Sequence, residues 1–169
     1  MKSTSPITLI LAAVAGGILG GGYGQYQVSH GHSFPVAHPS SLVTMPAIGL
    51  ILLALAWPVI RYRRQLLQQA KATTATSRQV PRPKRLDPFY AVRVLLLAKS
   101  TEVAAAAMGG FHLGLVILQL TSPIIPQNVW LNISGVLGSV FALIVGVVVE
   151  KFCKIPGDSI DSATSEAAA

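Results

Sequence analysis

The chain has 169 residues, of which 51% are hydrophobic and 11% charged, with a formal net charge of +7 and a mean hydropathy of +0.58. A soluble domain carries about a quarter charged residues. Here the apolar residues instead fall into four blocks, each long enough to cross a bilayer, which excludes a single soluble core. The one cysteine, Cys153, excludes an internal disulfide and any multi-cysteine metal site.

After Lys2, residues 6–26 carry no charge and form the first expected span. Gly16, Gly20 and Gly24 recur every four residues, with Gly17 and Gly21 in a parallel row. That spacing puts them on one helix face, where two backbones can approach closely. A rival reading is a secretory signal peptide with Ala13-Val14-Ala15 as its cleavage triplet. Apolar sequence continues past the triplet and the basic region is a single lysine, so a span is expected.

Residues 27–41 form a polar loop holding His30, His32 and His38. A His-x-His pair can chelate a metal if the loop is extended. No carboxylate or cysteine accompanies it, so a solvated loop without metal is expected. The second span is expected over 42–60, with Pro46 near its start and Pro58 near its end. Trp57 suits the headgroup level. The helix is expected to run on past Pro58 through Arg61, Tyr62, Arg63 and Arg64.

The connection over 61–87 is basic. Arg61, Arg63, Arg64, Lys71, Arg78, Arg82, Lys84, Arg85, Arg93 and Lys99 are ten of the thirteen basic residues in the chain. By the positive-inside rule this connection is cytoplasmic. With four spans both termini are then cytoplasmic too, and Lys2, Lys151 and Lys154 agree. The same charges attract anionic lipid headgroups, so lipid contact is expected here rather than nucleic acid.

Asp87-Pro88 reads as an N-cap followed by proline in the first helical turn. The third span is expected over 94–121. Counting back from Thr121 places Lys99 and Glu102 at its inner boundary, three residues apart and able to pair. Lys99, Ala106, Gly110 and Gly114 share a face, which puts the lysine at the mouth of a small-residue groove. Arg93, Lys99 and Glu102 therefore form a candidate lipid or partner site. His112 is the one ionisable residue in the middle of a span, nearly opposite the glycines and on the side of Gln119. These two form a candidate intramembrane polar site.

The fourth span is expected over 129–149, with Trp130 at the outer interface. Ser134, Gly138, Ala142 and Gly146 repeat at four and form a further small-residue face. Residues 157–169 read as a flexible tail.

Leu86-Asp87-Pro88, Ala91-Val92-Arg93, Leu97-Ala98-Lys99 with its Ala/Gly-rich continuation, and the closing Glu150-x-x-Cys153-x-x-Pro156 resemble a known pattern. It is that of an uncharacterised family of small actinobacterial four-span integral membrane proteins, a domain of unknown function often encoded near folate-biosynthesis genes. The resemblance implies a four-span topology and a bacterial plasma membrane, and no reaction.

The expected architecture is all-α: a polytopic domain over 1–156 with four transmembrane helices and both termini cytoplasmic. No nucleophile–base pair, metal-ligand spacing or phosphate-binding loop is present, so no enzyme activity and no cofactor are expected. The small-residue faces point to a scaffold or accessory subunit, packing against an unknown membrane partner or a second copy. The alternative is a small transporter or lipid-handling protein using Arg93, Lys99, Glu102 and His112.

Overall fold

The structure, a computed structural model, describes residues 4–75, 88–123 and 126–153. The expectations for Lys2, Arg78, Arg82, Lys84, Arg85, Asp87, Lys154, Pro156 and the C-terminal tail lie outside the described residues.

The described chain forms four helices and no strand: α1 (Pro6–Ser29), α2 (Pro39–Ala75), α3 (Pro88–Thr121) and α4 (Val129–Cys153). All four contain a stretch long and apolar enough to cross a membrane. A helix is the form such a stretch takes in lipid, because it satisfies every backbone donor and acceptor internally. α1 starts with Pro6 in its first turn, where the missing N–H costs no hydrogen bond. α2 begins before Leu42 and continues past Ile60 to Ala75, with Pro46 and Pro58 both inside it. The first half of the expected basic connection is thus helical.

Apart from α3 and α4, helices adjacent in sequence are not the main neighbours. α3 packs against α1 on one face and α4 on another, α2 packs mainly against α4 and only lightly against α3, and α1 meets no helix but α3. The order across the bundle is therefore α1, α3, α4, α2. Between α1 and α4, over α3, lies an apolar groove of about 520 Å³ that includes Ala13, Gly17, Gly109 and Ser139.

Glycines set the α1–α3 distance. A Cβ on Gly16 would run into the backbone of Ala107, and one on Gly20 into that of Phe111. From the other side, Gly110 sits on the Ala13 backbone and Gly114 on Gly17 and Gly21. Gly24 meets the side-chain ends of Leu115 and Leu118. The expected row on α4 divides between two partners. Gly138 faces Met45 and Pro46 of α2, and Gly146 faces Glu102 of α3.

At one end, Leu52, Ala56, Val59, Ile60, Val94, Leu95, Ala98, Val145 and Val149 form a core among α2, α3 and α4. There Arg63 Nη1 donates to the Lys151 carbonyl at 2.7 Å and the Phe152 carbonyl at 3.1 Å, and its guanidinium lies over the Phe152 ring. A cation on the last carbonyls of a helix completes their hydrogen bonding and suits the helix dipole. At the opposite end the α1–α2 loop, turned by Gly31 at φ +75°, crosses above α3 and α4.

Candidate functional site

The polar side chains inside the bundle lie along one line, the seam between α3 and α4. On α3 the inward positions are Ala98, Glu102, Ala105, Gly109, His112, Val116 and Gln119. On α4 they are Asn132, Gly135, Ser139, Ala142, Gly146, Val149 and Cys153. Both sets alternate steps of four and three, the spacing that keeps two helices in continuous contact with a slight left-handed wrap.

Each polar side chain in the middle of this seam sits opposite a glycine. A Cβ on Gly146 would lie 2.7 Å from Glu102 Cγ, one on Gly135 2.8 Å from the His112 ring, and one on Gly109 3.2 Å from Ser139 Cβ. The glycines thus create the volume that Glu102, His112 and Ser139 fill. Ser139 Oγ satisfies itself by donating to the Gly135 carbonyl one turn back, at 2.8 Å. The other two do not. Glu102 is 0% exposed with neither carboxyl oxygen hydrogen-bonded, and His112 is 5% exposed with neither ring nitrogen hydrogen-bonded. Asn132 is the polar side chain beside the imidazole.

Both ends of the seam are covered by the N-terminal part of the chain. At the loop end, Asn132 Nδ2 donates to Gln119 Oε1 at 3.1 Å and to the Pro35 carbonyl at 3.3 Å, and its Oδ1 accepts from Ala37 N at 3.0 Å. Gln119 Nε2 also reaches the Pro35 carbonyl. At the basic end, the Thr4 backbone N–H donates to Glu150 Oε1 at 3.0 Å. Thr4, Glu150 and Lys99 are the groups that act on Glu102. Glu150 is itself 5% exposed.

The expected sites are therefore redistributed. Arg93 is exposed, Lys99 is half-buried, and Glu102 is turned fully into the α4 interface rather than toward the membrane edge. Gly110 and Gly114 face α1, so the groove they form is not the one Glu102 occupies. His112 and Gln119 both face α4, but Gln119 belongs to the loop-end network, whereas His112 lies deeper against Gly135. His30 and His38 engage local partners, Tyr26 O with Ser29 and Ser40 respectively. Among the described residues no three His, Cys, Asp or Glu side chains come together as a metal site.

Sequence reasoning missed Asn132, Gly135, Ser139, Glu150 and Thr4. A signal was available for two of them, Asn132 and Ser139. Asn132, Ser139, Gly146 and Cys153 recur every seven residues along the fourth apolar run, as do His112 and Gln119 in the third. A shared heptad in two spans marks facing surfaces. For Thr4 the sequence holds no comparable signal.

No curated protein and no solved structure matches the chain. The family model described as a protein of unknown function, DUF3180, matches residues 9–157, which takes in most of α1 and all of α2, α3 and α4. The chain belongs to this uncharacterised family.

Proposed function

We propose that this is a non-enzymatic multi-pass membrane protein of the small-transporter class, with the α3–α4 seam as its path. The observation that carries the reading is the line of buried polar side chains seated in glycine notches. Ionisable groups inside a membrane bundle are costly and mark pathways and relays. A seam built only for stability would be filled with apolar residues at lower cost. The apolar groove between α1 and α4 touches the seam at Gly109 and Ser139, which supplies a lateral approach to its middle. The scaffold reading draws on small-residue faces, and those of α1, α3 and α4 are occupied by other helices of the same chain.

The test asks whether water reaches the seam. In a Cys153→Ser background, Ser139→Cys replaces a fully buried hydroxyl with a thiol of similar size. A path that opens during transport exposes this thiol to a charged, water-borne methanethiosulfonate. The expected result in membrane vesicles is slow but complete labelling. Exposed Ser33→Cys should label fast, and Ile144→Cys, on the outward face of α4 and away from the groove, should not label. Ser139→Cys that stays as inert as Ile144→Cys overturns the transport reading.

A further inference from the structure

We propose that Glu102 and Glu150 hold one proton between them and form the proton-binding site of the seam, which would make the proton the transported or coupling ion. The assignment rests on the seam reading above and names its ion.

Two carboxyl groups from different helices meet here, in a dry setting. Glu102 is wholly buried, and both of its oxygens lack a hydrogen-bond partner. Its stem lies in the notch left by Gly146, so the side chain cannot withdraw along α4 without displacing that helix. Glu150 approaches from α4 with Oε1 held by the Thr4 backbone N–H. Thr4 Oγ1 is buried at the same place with no partner of its own. Among the described residues, cations approach the pair from two helices. α3 contributes Lys99, and α2 contributes Arg63, which is committed to the last carbonyls of α4.

Repulsion and hydrogen bonding set the protonation count. Two ionised carboxylates at close quarters in a low dielectric repel strongly, and an isolated buried charge is costly. The Thr4 N–H donated to Glu150 Oε1 favours an ionised carboxylate there, so the second carboxyl carries the proton. One proton on the pair leaves a single negative charge. Such a pair titrates as a unit, as paired carboxylates in other proteins do. Uptake takes a proton from hydronium to form one carboxyl O–H bond and releases water. Release reverses this, and no electron moves.

The probe is dicyclohexylcarbodiimide, which attacks protonated carboxyls in apolar surroundings. The acid proton passes to a carbodiimide nitrogen, and the carboxyl oxygen bonds to its central carbon. The full chain, purified in mild detergent, should take up no more than one label, at Glu102 or Glu150. Uptake should fall as pH is raised and the shared proton is lost. Glu102→Gln should remove labelling altogether, because the introduced amide can donate to Glu150 and leave it ionised. Three results overturn the proposal: no label at any pH, two labels per chain, or full labelling of Glu150 in Glu102→Gln. Protection by sodium at fixed pH also overturns it, since a metal cation would then occupy the pair. The pH and sodium tests use the parent protein, so a variant that fails to fold leaves them standing. Ser139→Cys labelling with no carbodiimide reaction would retain the path and discard the proton; the converse would retain the proton pair and discard the path.

Discussion

A methyl group is enough to test a contact between two helix backbones. Gly20 and Gly22 are neighbours on α1 with opposite surroundings. A Cβ on Gly20 would overlap the Phe111 backbone, whereas one on Gly22 meets nothing within 4 Å. Backbone cannot rotate out of the way as a side chain can, so Gly20→Ala must push α1 away from α3. Overpacking of this kind costs about 1–3 kcal/mol. Gly22→Ala should be neutral, or slightly stabilising through helix propensity. Thermal unfolding in detergent should separate the two, and equal midpoints would show that the α1–α3 contact is not as close as described. The imidazole of His112 gives a contrasting case. Neither of its nitrogens is hydrogen-bonded, so His112→Gln removes no such bond and keeps a polar side chain beside Asn132. Its stability should stay within about 1 kcal/mol of the parent, the scale of one intramembrane hydrogen bond. A larger loss would mean that the ring's fit against Gly135 matters more than its polarity.

At the scale of elements, the α1–α2 loop is tied down by one side chain of α4. Asn132 bonds to Pro35, Ala37 and Gln119 together. Asn132→Ala removes the amide and strands the Ala37 N–H and Gln119 Oε1. The expected cost is about 1–2 kcal/mol. The loop should loosen selectively, seen as faster hydrogen exchange at Val36 and Ala37 with α4 unchanged; uniform protection across the loop would contradict this. The same network shows how much the sequence disclosed. Four helices were legible, because apolar runs of this length have few other stable forms in lipid. The small-residue faces were legible as faces, because a four-residue repeat places glycines on one side of a helix. Their partners were not, since Gly110 and Gly114 read equally well against α1 or α4. Glu102 was legible as a charge near the start of a span. Counting residues from Thr121 placed it at the membrane edge, but counting gives depth and not direction. Only the register of α4 shows that it turns inward onto Gly146 beside Glu150. Asn132 went unnoticed because one polar residue in an apolar run acquires meaning only from what stands opposite.

The two ends of the molecule differ in charge. The Thr4–Glu150, Tyr90–Leu55 and Arg63–Lys151 contacts gather one end, which also carries Arg61, Arg64, Arg93 and Lys99. The Pro35, Ala37, Gln119 and Asn132 contacts gather the other, and residues 23–46 and 112–135 contain no Lys, Arg, Asp or Glu. Exposed aromatics flank the apolar belt, with Trp57 and Phe89 toward the basic end and Trp130 toward the loop end, as headgroup-level residues do. Positive charge is retained on the cytoplasmic side during insertion. The basic end should therefore face the cytoplasm, and the histidine-bearing loop should face out. In a Cys153→Ser background, exposed Ser33→Cys should react with an impermeant thiol reagent added to intact cells. Exposed Arg64→Cys should react only after permeabilisation, as should Ser77→Cys in the connection outside the described residues. Removing one basic residue of ten leaves the charge bias large, so the Arg64 variant should not itself invert the protein. Labelling of Arg64→Cys from outside, with Ser33→Cys protected, would reverse the assignment. It would also move the Glu102–Glu150 pair from the cytoplasmic end of the seam to the outer one. The direction in which the pair takes up its proton thus depends on the same measurement.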